Sequence, residues 1–244
     1  MRGGAPRAAA PAAAAPAAAP THRPPPAAPR ARSSLDFEII VVEDSSPDGT
    51  YEVALRLADL HGAARVRVLK RPGKLGLGSA YIDGLALATG DFVVLMDADL
   101  SHHPKFIPAL IAAQAAPGGG PGGYDVVTGT RYAPGGGVSG WDLKRKLISR
   151  GANFLASLLL APRVSDLTGS FRLYKRGVLA AIMPRVKSRG YVFQMEVAVR
   201  ARQLGATIAE VPITFVDRVY GASKMGGGEI VQYATGLWTL FREV

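Results

Sequence analysis

The sequence contains no cysteine. Disulfide bonds, thiolate metal sites and a cysteine nucleophile are therefore excluded, and a chain without disulfides fits a reducing compartment. Long apolar runs are also missing. None reaches the roughly 20 residues that a membrane-spanning helix needs, and the longest candidate, residues 148–160, contains Arg150 and Asn153. We therefore expect a cytosol-facing protein that does not itself span the bilayer.

Acidic residues are absent from residues 1–34, which consist mainly of Ala, Pro and Arg. The prolines are too closely spaced for a helix to propagate, and they interrupt the apolar run that a secretory signal needs. We predict that residues 1–34 are disordered and that residues 35–244 form one domain. A transit peptide remains an alternative for this arginine-rich segment.

The formal net charge of +10 first suggests a nucleic-acid partner, because basic chains bind polyphosphates. Half of that charge comes from the five arginines of residues 1–34. The rest of the chain has no basic stretch interleaved with aromatic residues. We therefore expect no nucleic-acid partner, and an anionic membrane or a diphosphate ligand explains the remaining charge as well.

Apolar runs alternate with helical patterns after residue 34, which predicts an α/β fold with a mostly parallel sheet. In the first half we predict strands at 37–42, 66–69, 92–96 and 124–128, and helices at 50–61, 79–88 and 104–113. In the second half we predict a basic amphipathic stretch at 141–160, strands at 170–174 and 208–216, and helices at 193–203 and 229–241.

Two acidic clusters follow predicted strands, where ligands gather in open α/β sheets. Asp97 and Asp99 lie one residue apart at a strand end, so both carboxylates can reach one Mg²⁺ or Mn²⁺ ion. Asp44, in the cluster at residues 43–50, can accept hydrogen bonds from a ribose or a base edge. Each cluster alone would be read as a turn or as solvated acids, but their adjacency favours a site. His102 and His103 point apart, which favours packing or solvent contact over metal binding.

Three cations are candidates for contact with a diphosphate. Arg131 follows the fourth strand and can offset anionic oxygens. Arg218 and Lys224 lie in a glycine-rich stretch that can close over a ligand. A surface arginine and a surface loop are the competing interpretations.

Together these segments closely resemble the dolichol-phosphate mannosyltransferases, from about residue 37 to residue 241. The resemblance rests on residues 97–106 (DADLSHHPKF), 142–146 (DLKRK) and 166–172 (DLTGSFR). That family belongs to the inverting glycosyltransferase family 2 and has a GT-A fold, with a mostly parallel sheet and helices on both faces. The family's amino-terminal strand, with its Pro-x-Tyr-Asn-Glu motif, is not seen in this sequence.

The resemblance implies a role for nine residues. It assigns the guanosine contacts to Val42 and Asp44, the metal and diphosphate to Asp97, Ala98 and Asp99, a weaker metal role to Ser101, and the donor phosphates to Arg131, Arg218 and Lys224. Asp99, Arg131 and Lys224 are then the catalytic candidates, because the metal and the two cations would stabilise the leaving group.

The activity implied is transfer of mannose from GDP-mannose to dolichyl phosphate, with Mg²⁺ or Mn²⁺. The product, dolichyl β-D-mannosyl phosphate, serves protein glycosylation and GPI-anchor synthesis. The resemblance also implies small membrane-anchoring subunits at the cytosolic face of the endoplasmic reticulum. The alternatives are a dolichyl-phosphate glucosyltransferase that uses UDP-glucose, and an inactive truncated isoform that acts as a non-catalytic subunit.

A lipid acceptor requires a membrane surface. The amphipathic stretch 141–160 can approach one with Lys144, Arg145, Lys146 and Arg150 facing anionic headgroups. Packing of this stretch against the sheet is the alternative.

Overall fold

The computed structural model describes residues 35–162, 164–188, 192–217 and 227–243. The described elements belong to one compact unit, Phe37–Val244. Residues 1–34 lie outside the described part, so their disorder and the domain boundary remain predictions. In the described ranges, no helix combines the length and apolar character needed to cross a membrane.

The described strands and helices alternate along the first half of the chain, as the sequence predicts. The strands are β1 (Ile39–Glu43), β2 (Val66–Lys70), β3 (Phe92–Leu95), β4 (Val126–Thr130), β5 (Gly137–Ser139), β6 (Arg172–Lys175), β7 (Ile208–Pro212) and β8 (Thr214–Val216). The helices are α1 (Thr50–His61), α2 (Leu77–Leu87), α3 (Ile107–Gln114), α4 (Leu143–Leu160), α5 (Arg176–Ile182), α6 (Val192–Gln203) and α7 (Gly227–Glu243), with 3-10 turns at Pro104–Phe106 and Met183–Arg185.

The strands form three hydrogen-bonded groups. β1 pairs with β2 in parallel, and β5 pairs with β8 in parallel. The central group has the order β3-β6-β4-β7, in which β4 and β7 are parallel and β6 is antiparallel to both of its neighbours. The predicted α/β class is confirmed, and the mostly parallel sheet is divided into these separate groups.

The predicted strand at 208–216 is divided into β7 and β8 at Ile213. The N–H of Ile213 donates to the carbonyl of Thr130 at 2.9 Å, whereas its carbonyl accepts from the N–H of Gly137 at 3.0 Å. The chain therefore leaves the edge of β4 and pairs with β5. The apolar pattern of residues 208–216 does not reveal this change of partner, because both halves are strands.

Local signals explain the ends of α1. Thr50 N–H donates to Asp48 Oδ1 at 3.1 Å just before the first turn, and Gly49 has φ +81°. At the other end, Gly62 has φ +86° and its N–H donates to the carbonyl of Ala58. Both glycines adopt a left-handed conformation that residues with a Cβ rarely adopt.

The hydrophobic core lies mainly in the second half of the described chain. Leu110 of α3 packs against β4, β6 and β7 in one apolar cluster. Helix α6 is buried along most of its length and contributes to the two other apolar clusters. Before residue 100, the buried apolar residues of the described part are Ala54, Val66 and Leu95. The region around α1, β1 and β2 therefore contributes little to the core.

Because burial is uneven, we expect substitutions in the two regions to lower the free energy of unfolding by different amounts. Leu110→Ala should lower the free energy of unfolding by about 2–5 kcal/mol, because the side chain is 0% exposed and a cavity would remain. Leu60→Ala, on a helix residue that is 75% exposed, should change it by less than about 0.5 kcal/mol. Urea denaturation of both variants measures the difference. Equal costs would contradict this description of the core.

Candidate active site

Asp97 lies in the loop that follows β3, two residues after Leu95. Its carboxylate Oδ2 accepts a hydrogen bond from the hydroxyl of Ser170 at 2.9 Å. Its backbone N–H donates to Nδ1 of His102 at 3.1 Å. The side chain of Asp97 is 33% exposed. Two neighbours therefore hold Asp97 in place while its carboxylate remains accessible to a ligand.

Asp99 is oriented by the residue two positions later. Its Oδ1 accepts hydrogen bonds from the backbone N–H of Ser101, at 3.1 Å, and from the Ser101 hydroxyl. Leu100 between them has φ +65°, an uncommon conformation for a residue with a side chain. The turn places buried Ser101 beside Asp99 as its donor, and Ala98 is exposed between the two aspartates. Ser101 therefore lies at the predicted metal site, but its hydroxyl is directed at Asp99.

His102 holds this loop through its hydrogen bond with Asp97 and through ring packing. It is buried, it stacks on Phe171 with ring centroids 5.0 Å apart, and it meets Phe215 edge-on at 5.7 Å. Burial lowers the pKa of His102, although the nearby charges of Asp97 and Asp99 act in the opposite direction. A neutral imidazole is the form that can accept the hydrogen bond from Asp97 N–H. As the sequence predicts, His102 is a packing residue.

The oxygen ligands of Asp97 and Asp99 fit a hard divalent cation. In the ranges that the structure describes, no three or more metal-binding side chains converge. Magnesium and manganese sites of this kind take further ligands from substrate phosphates and water. The two aspartates therefore fit a cation that arrives together with a diphosphate, and they do not form a closed protein cage.

The loop after β1 places Asp44 next to a buried arginine. Arg71, directly after β2, donates from Nη1 to Asp44 Oδ1 at 2.9 Å and from Nη2 to the Ser79 hydroxyl at 2.5 Å. Its Nε lies 3.1 Å from Asp83 of α2. Asp44 is thus fixed to the carboxyl end of β2 and to α2. Val42, the other predicted guanosine contact, is half-buried and lies against Gly84 of α2.

Helix α2 connects the two acidic loops. Ser79, at its start, binds Arg71, which holds Asp44. Tyr81, two residues later, is half-buried, and the desolvation of its hydroxyl together with the charge of Asp97 raises the pKa of that hydroxyl. The structure therefore brings both predicted acidic clusters against the first turns of the same helix.

Arg131 is engaged by a buried carboxylate. Its Nε donates to Asp166 Oδ2 at 2.7 Å, its Nη2 donates to Asp166 Oδ1 at 2.6 Å, and Nη2 also reaches the Thr168 hydroxyl at 2.6 Å. Both residues of the pair are buried. Burial alone would raise the pKa of Asp166, but the charge and hydrogen bonds of Arg131 outweigh it and lower the pKa. Within the described residues, Nη1 is the guanidinium nitrogen left for a ligand.

Aromatic rings enclose the Arg131 guanidinium. Its central carbon lies 5.3 Å from the ring centre of Tyr132, 5.6 Å from that of Trp141 and 5.5 Å from that of Phe215. Rings of this kind attract cations and exclude water. The predicted phosphate-binding arginine is therefore a fixed, buried group and not a mobile surface side chain.

A cavity of about 200 Å³ opens beside Arg131. The lining residues are Arg131, Tyr132, Gly137, Val138, Trp141, Lys146 and Arg150, three cations with no acid among them. The indole Nε1 of Trp141 is buried and has no hydrogen-bond partner in the described part of the chain. An anionic group with hydrogen-bond acceptors fits these surroundings.

Helix α4, which contributes Lys146 and Arg150 to the cavity, has an apolar outer stripe. The residues on it are strongly exposed and recur at helical spacing: Leu143, Leu147, Phe154 and Leu158. A different face, with Ser149, Asn153, Ala156 and Leu160, is buried. The helix therefore packs on the domain with one face and presents apolar side chains and cations outward.

The structure places the described members of the predicted site in three parts of the domain, one of which is Arg131, directly after β4. Asp97, Ala98, Asp99 and Ser101 share one loop, and Val42 and Asp44 lie at the end of β1. Arg218 and Lys224 lie outside the described residues.

Sequence reasoning missed three polar residues that organise the site: Arg71, Asp166 and Ser170. Each lies far along the chain from the residue that it binds, between 27 and 73 positions. Asp166 and Ser170 belong to the DLTGSFR segment, but that motif does not state which partners they hold. Arg71 directly follows a strand next to β1, which is a signal that could have paired it with Asp44.

Comparison with known proteins identifies related sequences. Residues 29–183 match the description Glycosyl transferase family 2. The polyprenol monophosphomannose synthase of Mycolicibacterium smegmatis is 42% identical over 196 residues, which are 79% of this chain and 71% of that protein. The undecaprenyl-phosphate mannosyltransferase of Micrococcus luteus is 41% identical over 199 residues, which are 79% of this chain and 77% of that protein.

Solved structures share the fold at lower identity. The glucosyl-3-phosphoglycerate synthase of Mycobacterium tuberculosis, crystallised with Mn²⁺, UDP and glucosyl-3-phosphoglycerate, superposes with a TM-score of 0.58 and 21% identity. The match covers 84% of this chain and 68% of that one. It supports the GT-A architecture.

The Arg131–Asp166 pair predicts a large stability loss in Asp166→Asn. The variant leaves a buried guanidinium without its counter-charge, so the free energy of unfolding at pH 7 should fall by about 3–5 kcal/mol. Urea denaturation measures this loss. As a control, Arg131→Met combined with Asp166→Leu should recover much of it, because no charge is then buried.

The same pair predicts a pH dependence. Because the folded pKa of Asp166 is lowered, its contribution is fully present above the pKa of an unfolded aspartate, about 3.9. It is lost as the pH falls through the lower folded value. The stability gap between wild type and Asp166→Asn should therefore be constant at neutral pH and shrink only below about pH 4. A gap that persists unchanged to pH 2 would contradict the assignment.

Proposed function

Because the chain belongs to glycosyl transferase family 2, we propose that this glycosyltransferase transfers mannose to a polyprenyl phosphate. Its identity of about two fifths to two polyprenyl-phosphate mannosyltransferases supports the sugar and the class of acceptor. One structural observation carries the proposal. A two-carboxylate loop and a cationic cavity lie on the same domain, connected through Ser170 and Asp166.

The donor in this proposal is GDP-mannose. Asp97, Ala98 and Asp99 would hold its diphosphate together with Mg²⁺ or Mn²⁺, while Val42 and Asp44 would contact the guanosine. The ion pair with Arg71 supports this role of Asp44, because it fixes the carboxylate at the end of β1. Arg131 is proposed to bind the donor phosphates together with Arg218 and Lys224, which lie outside the described residues.

A bound divalent cation would stabilise the charge that develops on the leaving diphosphate. Neighbouring residues of the chain already hold the two carboxylates that would bind the cation. Ser170 and His102 hold Asp97, and Ser101 holds Asp99, so the two carboxylates need little reorganisation when the donor binds.

The acceptor phosphate fits the cavity beside Arg131. Lys146 and Arg150 would supply charge, and Nη1 of Arg131, which also lines the cavity, would in addition donate to the acceptor phosphate. The absence of acids among the described lining residues favours an anion there. The pairing of Arg131 with Asp166 keeps this donor rigid while its excess charge is neutralised.

The proposed reaction needs no strong general base. An oxygen of the acceptor phosphate, already ionised near neutral pH, attacks the anomeric carbon of mannose. The bond from that carbon to the diphosphate oxygen breaks, GDP leaves with the electron pair, and the configuration inverts to the β-mannosyl phosphate. Asp99, Arg131 and Lys224 would align and stabilise the reacting groups.

The lipid of the acceptor is proposed to be dolichol, at the cytosolic face of the endoplasmic reticulum. The exposed apolar stripe of α4 supports a lipid neighbour, because it borders the cavity that would hold the phosphate. Small membrane-anchoring subunits would hold the protein there. The product would serve protein glycosylation and GPI-anchor synthesis.

A transfer assay tests the proposal. Purified protein in detergent should transfer labelled mannose from GDP-mannose to dolichyl phosphate only when Mg²⁺ or Mn²⁺ is present. Asp99→Asn should lower the rate by more than about a hundredfold, because the metal and the diphosphate lose a ligand. Asp59→Asn, on the exposed side of α1, is the matched control and should keep the rate.

Three outcomes would contradict the proposal. Faster transfer from UDP-glucose would make the enzyme a glucosyltransferase, and metal-independent transfer would remove the role of Asp97 and Asp99. Folded protein that transfers no sugar would favour a non-catalytic subunit.

The acceptor cavity makes a separate prediction. Lys146→Gln should raise KM for the polyprenyl phosphate about tenfold, because one charge-assisted contact to the phosphate is lost. KM for GDP-mannose should not change. Arg185→Gln removes an exposed cation outside the cavity and serves as the control. An equal rise in both KM values for Lys146→Gln would show that the cavity is not specific for the acceptor.

A further inference from the structure

Several of the described strands have a main-chain edge without a partner, and β1 and β3 are two of them. β1 pairs with β2 on one side, and β3 pairs with β6 on one side; no other described strand pairs with either of them. Unpaired N–H and C=O groups along a strand are a template for another strand. The main-chain hydrogen bonds of β1 and β3 show which N–H and C=O groups of these strands have no partner among the described strands.

On β1, the N–H of Ile39 donates to the carbonyl of Arg65, and the carbonyl of Glu43 accepts from the N–H of Arg71. Because the main-chain groups of successive residues in a strand point to opposite sides, those of Ile40 and Val42 point away from β2. They line the open edge of β1.

On β3, the carbonyl of Asp91 accepts from the N–H of Arg176. Residues 91, 93 and 95 therefore form the hydrogen-bonded pairs with β6, in agreement with the observed register. The main-chain groups of Phe92 and Val94 point to the other side and line the open edge of β3.

The open edges of β1 and β3 border one gap between these two strands, which we call the slot. The carboxylate of Glu38, just before β1, accepts hydrogen bonds from the N–H groups of Thr89 at 2.6 Å and Gly90 at 3.3 Å, just before β3. The two strands therefore begin side by side. Helix α2 packs on both of them, with Gly84 against Val42 of β1 and Leu85 in the cluster that contains Val93 and Leu95 of β3.

Apolar surface around the slot is left unburied. The exposed side chains include Ile39 of β1, which is 49% exposed, and Phe92 of β3, which is 47% exposed. Parallel strands of α/β proteins are normally covered on both faces. In the part of the chain that the structure describes, the slot therefore lacks main-chain partners, and apolar side chains beside it remain exposed.

We propose that this slot binds one extended apolar strand, about five residues long, donated by another polypeptide. A strand is the element that can satisfy main-chain groups on both sides at once, and its side chains would cover the apolar surface that remains exposed beside the slot. Its insertion would join β1 and β2 to the four central strands in one continuous sheet.

The chain's own residues 1–34 are poor candidates for this strand. Between their prolines no run is longer than five residues, and the two five-residue runs, 1–5 and 30–34, are rich in Gly, Arg and Ser. Proline cannot donate to a ladder, and central strands of a parallel sheet are apolar. A strand from a different chain therefore fits the slot better than residues 1–34 do.

The test uses the full chain and a synthetic peptide, acetyl-Lys-Val-Ile-Val-Ile-Val-Lys-amide, with amide hydrogen exchange as the readout. At ten times its Kd, the peptide should slow exchange at Ile40, Val42, Phe92 and Val94 roughly tenfold and raise Tm. Amides that already bond β2 or β6 should change less. A peptide with proline at the second and fourth positions is the control and should have no effect.

A proline variant tests whether the peptide binds through the open edge of β3. Val94→Pro removes a free-edge N–H but none of the bonds to β6, so the variant should keep its far-UV circular dichroism and lose the peptide effect. Ile40→Pro is the equivalent variant on β1, if Val94→Pro does not fold. Absence of protection with the first peptide, or equal protection with both peptides, would overturn the proposal.

Two further observations would also overturn it. Protection of the four amides without peptide that increases with protein concentration would identify a second copy as the occupant. Protection that disappears when residues 1–34 are deleted would identify the chain's own segment.

Discussion

The buried ion pair between Arg131 and Asp166 is the interaction on which the arrangement of the site depends. Asp166 accepts from the backbone N–H, Nε and Nη2 of Arg131, and also from the N–H of Gly169. One carboxylate thereby fixes the end of β4 and the loop that leads into β6. Neither charge is tolerable in this environment without the other.

This pair also connects the two halves of the proposed reaction. On one side, Arg131 forms a wall of the cationic cavity. On the other, the loop shaped by Asp166 ends at Ser170, whose hydroxyl holds Asp97. The proposed acceptor and donor positions are therefore connected by the hydrogen bonds of Asp166 and Ser170 and by the short loop between these two residues. A rigid connection of this kind favours alignment, which is the main demand of a reaction whose nucleophile is already ionised.

The sequence predicts the first half of the fold well because its apolar runs and turn residues act locally. Gly49 and Gly62 limit α1, and Asp97 follows β3 as expected. The antiparallel direction of β6 and the partner change at Ile213 were not predictable, because strand direction and partner depend on contacts between distant residues. The same reason explains the site. The acids Asp97 and Asp99 were evident from their spacing, whereas the pairing of Arg131 with Asp166 depends on tertiary structure.

The most direct test of the central claim is electron paramagnetic resonance of Mn²⁺ with the protein and GDP that carries ¹⁷O in its β-phosphate. We expect tight Mn²⁺ binding only when GDP is present, with ¹⁷O broadening of the signal, and loss of both effects in Asp97→Asn. Mn²⁺ binding that is independent of GDP, or a signal without ¹⁷O broadening, would show that the two aspartates do not hold a metal–diphosphate complex.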